Sequence, residues 1–95
     1  SQKTIPETMG EYYDNFSSLL FQNSDSYLRI YRSLRDGNPN EAQKSLEEYL
    51  RHSLGKLQKF RKDIASRTII SKPKQSELLG SIDGKIEEIT RYLPQ

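Results

Sequence analysis

His52 is the one imidazole in the chain, and no cysteine accompanies it. Nucleophile–base chemistry therefore has only His52 or a carboxylate to serve as its base. Carboxylates occur as adjacent pairs at Glu47–Glu48 and Glu87–Glu88. Neighbours on a helix project about 100° apart, so neither pair converges on one substrate. At spacings of three and four, Glu41 with Lys44, Glu48 with Arg51, Asp63 with Arg67 and Glu87 with Arg91 instead fit ion pairs on helix surfaces. A glycine-rich phosphate loop, a Gly-x-Ser-x-Gly elbow and a His-Glu-x-x-His pair are all missing. Without cysteine there is no disulfide and no thiolate zinc site, and one histidine cannot build a multi-histidine centre. The sequence thus predicts a protein that is not an enzyme and that takes no metal and no small-molecule cofactor.

His52 stands in Tyr49–Lys56, mid-helix, with Gly55 and Lys56 just behind it. A histidine on a bundle helix followed closely by lysine and glycine resembles the phosphotransfer domains, whose order is His-x-x-Lys-Gly. Here glycine precedes lysine, so the likeness covers only His52–Lys56 in reversed order. It implies phosphorylation of His52 as a weaker alternative. The residue-level reading is a surface or boundary histidine beside an apolar stripe.

Binding chemistry is better supplied. There are six tyrosines, three phenylalanines and no tryptophan. Tyr12, Tyr13, Phe16 and Phe21 crowd one stretch, and Tyr27 and Tyr31 follow. Tyrosine joins an apolar ring to a wettable tip and is enriched at interfaces. Adjacent Tyr12 and Tyr13 cannot both face a core, so one of them belongs at a rim. The expectation is a partner-binding surface built on Tyr12, Tyr13, Phe21 and Tyr27; the alternative is that these rings simply fill a small core.

The net charge is only +2, but it is unevenly spread. Residues 1–50 hold five Lys/Arg and eight Asp/Glu, and residues 51–95 hold ten and five. Arg51, Lys56, Lys59, Lys62 and Arg67 form a basic patch, in which the lysines read as one helix flank. Such a row suits a phosphate backbone or an anionic membrane surface. It equally suits acidic early helices packed beside basic later ones.

The elements that must position these residues are helical throughout. A 95-residue chain with 33% hydrophobic and 29% charged residues is lean but foldable as one domain, 1–95. A first segment opens at Thr4-Ile5-Pro6-Glu7 and carries Met9, Tyr12, Tyr13, Phe16, Leu19 and Leu20 at helical spacing. Gln22–Asp25 reads as a break. A second segment starts at Ser24 or Asp25, carries Tyr27, Leu28, Ile30, Tyr31 and Leu34, and stops at Gly37. Asn38-Pro39-Asn40-Glu41 signals a third start, and the helix should run to about Ser66 as the longest in the fold. Thr68–Ser71 is β-branched and is read as an extended connector whose isoleucines cover one end of the core. The fourth segment starts around Ser71-Lys72-Pro73 and ends at Pro94. Within it Gly80 and Gly84 share a face, which suggests a close helix packing there. The fold class expected is all-α, a small antiparallel up-down helical bundle of four helices, with three helices plus an N-terminal arm as the variant.

The hairpin from Leu34 to Leu57 is similar to those of small export chaperones of flagellar type, and a basic bundle of this length is similar to bacteriocin immunity proteins. Neither likeness rests on a diagnostic motif, and no functional residue is carried over. A first residue of Ser1 implies processing or excision, and no signal-peptide pattern is present. Cytoplasm and export after signal removal both fit a cysteine-free chain without a membrane span. The function expected is a non-enzymatic module that binds a protein partner, or itself as a homodimer, through the aromatic face of the first two segments. The alternative is an electrostatic binder of nucleic acid or anionic lipid through the basic patch.

Overall fold

Tyr13, Ser17, Ser24, Leu28 and Tyr31 follow one another at steps of four, seven, four and three, so they hold one helical face without a change of phase. The computed structural model, which describes residues 2–35 and 41–94, carries them on one unbroken helix, α1, Ile5–Arg35. The break expected at Gln22–Asp25 does not form. That stretch contains neither glycine nor proline. Its cap-type side chains satisfy themselves inside the helix: Ser24 Oγ donates to the Phe21 carbonyl and Ser26 Oγ to the Gln22 carbonyl, both at 3.0 Å. Ser24 is also wholly buried, so the core face runs straight through the supposed break.

Two further helices complete the bundle, α2 Glu41–Ser66 and α3 Lys72–Tyr92. The helix count is that of the smaller variant, reached by fusing the first two segments into one. α1, at 31 residues, is longer than α2, at 26, so the longest helix is the first and not the one expected. The Gly37 stop and the Asn38-Pro39-Asn40 start lie outside the described residues.

Local signals explain the other ends. Thr4 Oγ1 accepts the Glu7 N–H at the start of α1. Ser71 caps α3 by accepting the Lys74 N–H at 3.3 Å, with Pro73 in the first turn. The end of α2 is closed from another element. The Gln75 side-chain amide, on α3, donates to the carbonyls of Ile64, Ala65 and Arg67 at 2.9–3.3 Å. Thr68–Ser71 forms no strand; Ile70 is buried and closes the core, while Ile69 faces solvent.

The helices run up, down and up. Tyr13 meets Asp63, Phe16 meets Phe60 and Tyr27 meets Tyr49, so each step forward on α1 is a step back on α2. Asp14 meets Lys74 and Asp25 meets Lys85, each pair 60 residues apart, so α3 runs parallel to α1. Leu28, Leu50, Leu57, Ile64, Leu78, Ile82 and Ile89 fill the centre. The result is a long thin slab, 56 × 25 × 15 Å by Cα positions, with a radius of gyration of 15.8 Å. A compact chain of this length has about 12–13 Å. Much of each helix therefore has a neighbour on one side only.

Gly80 and Gly84 are exposed, and a Cβ at either would meet nothing within 4 Å. Among the described residues the close helix packing expected there is absent, and the glycine that lies under another helix is Gly10, against the Lys74 stem. Neither Gly80 nor Gly84 has a positive φ. Gly80→Ala and Gly84→Ala should therefore each stabilise the fold by about 0.5–1 kcal/mol. The check is a higher urea midpoint at an unchanged slope. A drop in midpoint would mean that a neighbour does pack on that face.

Candidate partner-binding face

α3 covers the α1–α2 pair from one side. Lys74 pairs with Asp14 at 2.9 Å and Lys85 with Asp25 at 2.5 Å. Arg61 holds Asp83 through two nitrogens, at 2.5 and 3.1 Å. The Arg32 guanidinium lies 4.8 Å from the centre of the Tyr92 ring. Acids of α1 thus meet lysines of α3, and this absorbs part of the charge asymmetry between the two halves of the chain. Burial pulls the Lys85 ammonium down, but Asp25 and Glu88 outweigh it and hold it above its ordinary value.

The other side of the α1–α2 pair is open. Along it stand Tyr12 at 55% exposure, Phe16 at 39%, Leu19 at 60%, Ile30 at 50% and Tyr49 at 54%. Phe16 stacks on Tyr12 at 6.2 Å and leans on Phe60 at 4.8 Å, while Tyr49 stacks on Tyr27 at 5.4 Å. Phe16, Leu20 and Phe60, with Lys56 and Lys59 on the α2 wall, line an open groove of roughly 450 Å³. A narrower crevice continues it past Leu20, Asn23, Tyr27, Tyr49, His52 and Ser53.

The four aromatic residues expected at the surface are divided by this arrangement. Tyr12 is on the open seam, and Tyr27 is half-buried in its wall. Tyr13 is buried to 2% exposure and its hydroxyl donates to Asp63 at 2.8 Å, so it is a core residue and not a contact residue. One of the adjacent tyrosines had to turn inward, and it is Tyr13. Phe21 is half-buried on the opposite flank, under the Lys85 ammonium, so it does not share a face with Tyr12. Phe16 and Leu19 fit the core stripe by spacing and instead carry the seam, together with Tyr49 on α2. The signal that marks them is arc width. With α1 continuous, Tyr12, Phe16, Leu19 and Ile30 fall on a strip beside the buried one, wider than two neighbouring helices can cover.

The basic patch also divides. Arg51 donates to the Pro94 carbonyl at 2.9 Å, and Arg67 pairs with Asp63 at 2.7 Å, so both are engaged within the fold. Lys56 and Lys59 line the groove. Each step of three loses about 60° on a helix, so the row winds away towards Lys62 and does not hold one flank. His52 is exposed at the rim of the crevice, and among the described residues no carboxylate bonds its ring. Among the described residues no three His, Asp or Glu side chains gather as a metal cluster, and no helix is long and apolar enough to cross a membrane.

Tyr13, Asp63 and Arg67 form the polar clasp beneath the seam. Burial raises the Tyr13 phenol, and its bond to Asp63 raises it further. Burial pulls Asp63 up, but the hydrogen bonds from Tyr13 and Arg67 win and hold it below the usual carboxylate range. A carboxyl lowered by folding contributes fully above its unfolded pKa of about 3.9, and the contribution goes as pH falls through the folded value. A raised phenol contributes fully below about pH 10 and is lost as pH rises through the folded value. Stability should therefore be level between those limits and fall on either side. Asp63→Asn should flatten the acid limb in a urea titration against pH; an unchanged acid limb would mean that Asp63 is not responsible.

Fold and face together define an all-α, three-helix bundle with one apolar seam left open. Compared with protein-family models, curated proteins and solved structures, the chain matches none.

Proposed function

We propose that the chain is a non-enzymatic binding module that engages a protein surface through the open α1–α2 seam. One observation carries this reading: five large apolar side chains, each 39–60% exposed, stand together along one face of a small bundle. Scattered exposed apolar residues are ordinary, but large apolar residues gathered on one helical face beside an open groove mark an interaction site. Tyrosines at two of the five positions suit a surface that is wet when free and covered when bound.

The lysines on one wall support an electrostatic contribution, yet Leu19 and Ile30 offer nothing to a phosphate backbone, and a protein surface uses both. The test is capture from native extract by the wild type and by Leu19→Glu, washed at low and moderate salt. The expected result is a stoichiometric protein that survives the salt wash with the wild type and is lost with Leu19→Glu. Retention of the same protein by both overturns the seam as the binding face. Nucleic acid or lipid that leaves on the salt wash moves the function to Lys56, Lys59 and Lys62.

A further inference from the structure

We infer that the seam's occupant is a second copy of this chain, docked antiparallel about a two-fold axis. The inference rests on reading the seam as a binding face. Three features of that face point to self-pairing.

The first is how its chemistry is sorted. On α1 the exposed seam residues are Tyr12, Phe16, Leu19, Asn23 and Ile30, none of them charged. On α2 Lys56, Lys59 and Tyr49 line the seam, and Glu48, exposed and eleven residues before Lys59, shares the Lys59 flank by helical phase. A two-fold axis lying across the helices sets α1 on its own copy and α2 on its own copy. Apolar then meets apolar, and charge meets charge. An axis along the helices would instead press the apolar strip onto the charged one.

The second is register. Glu48 and Lys59 stand at equal distances from the middle of α2, which runs Glu41–Ser66. An antiparallel copy therefore brings Glu48 of each chain level with Lys59 of the other, twice. Among the described residues neither Glu48 nor Lys59 has an ion pair or hydrogen bond within the chain. The middle of α2 lies level with Leu20–Asn23, because Phe16 faces Phe60 and Tyr27 faces Tyr49. The midpoint of the apolar strip from Tyr12 to Ile30 falls at residue 21, within about two residues of that height, so one axis roughly serves both helices.

The third is area. Side chains of this size bury about 150–250 Å² when fully covered. With about half of each of five still exposed, roughly 500 Å² per copy is on offer, or about 1,000 Å² in a symmetric pair. That meets the roughly 1,000 Å² a biological interface needs, at the small end of the range, before any rim atoms are counted. The bundle is also thin, 15 Å in its short dimension, and seam-to-seam pairing makes a four-helix layer of its two open faces.

Mass by light scattering over a wide concentration range tests this, on the wild type, Leu19→Glu, Glu48→Lys, Lys59→Glu and the double charge swap. All altered residues are exposed, and circular dichroism confirms that each variant folds. The wild type should have twice the 11.1 kDa monomer mass, and Leu19→Glu should be a monomer. Each single charge reversal should weaken the dimer about tenfold, because it faces like charge with like. The double swap should restore it. A wild type that stays monomeric at every concentration overturns the second copy while leaving the seam reading to the capture experiment. A dimer indifferent to Leu19→Glu overturns the seam as its interface. A double swap weaker than either single variant overturns the antiparallel register.

Discussion

Tyr13→Ala is expected to cost about 3–5 kcal/mol, a large share of the total stability of a chain of this size. The ring is 2% exposed, packs edge-on to Tyr12 at 5.4 Å and leans on Phe60 at 5.6 Å. Removing it empties a contact between α1 and α2 that joins Tyr12, Phe60 and Asp63. It also leaves Asp63 with Arg67 alone for company in a half-buried place. Tyr13→Phe separates the two contributions. It keeps the ring and removes the donor, and should cost about 1–2 kcal/mol. Tyr12→Ala, one residue away, takes a ring that is 55% exposed and should stay within about 1 kcal/mol of the wild type. Urea unfolding of the three variants at neutral pH decides the matter. Equal midpoints for Tyr12→Ala and Tyr13→Ala would mean that the Tyr13 ring is not in the core. The same experiment bears on function. A loss of binding in Tyr13→Ala would report a destabilised fold, whereas Tyr12, Leu19 and Tyr49 can be changed with the fold intact.

The helical class and most helix ends were legible in the sequence, because they depend on local chemistry. Apolar residues at steps of three and four, Thr4 and Pro6 at one start, and Ser71 with Pro73 at another act within a turn or two of themselves. The end of α2 near Ser66 was legible from the periodicity alone, but not the means of closing it. Gln75 reaches the α2 carbonyls from a different helix, and no local pattern reports that. The candidate site was half legible for the same reason. That one of Tyr12 and Tyr13 must be exposed follows from helix geometry. Which one it is depends on where α2 lies. Phe16, Leu19 and Tyr49 have the spacing of core residues, and because α3 lies over the other side of the α1–α2 pair, they stay in solvent. Gly80 and Gly84 misled for the opposite reason. Their spacing fits a close approach, but α3 turns that face outward, and nothing approaches.

The fused first helix is the clearest departure, and a proline at Asn23 tests it most severely. Inside a continuous α1, Asn23→Pro removes an N–H that a helix bonds to the carbonyl four residues back, and its ring clashes with that carbonyl. The expected cost is about 3 kcal/mol or more. Asn23 is exposed, so little packing is lost with the side chain, and Asn23→Ala is the control. Alanine is the better helix former and should be neutral or slightly stabilising there. Had the chain bent at Gln22–Asp25 with Ser24 or Asp25 as the new cap, residue 23 would lie outside both helices, where proline breaks no helical hydrogen bond. The two architectures thus predict different costs for proline at one surface position. The physical reason to expect the continuous helix lies in Ser24, which keeps its hydroxyl on the Phe21 carbonyl while sitting at 0% exposure between Tyr13 and Leu28 on the core face. A cap at that position would have to turn this buried face away from α2 and α3. Urea midpoints and far-ultraviolet circular dichroism of the two variants provide the measurement. If Asn23→Pro proves as stable and as helical as Asn23→Ala, α1 is two helices, and the seam that runs from Tyr12 to Ile30 is not one continuous face.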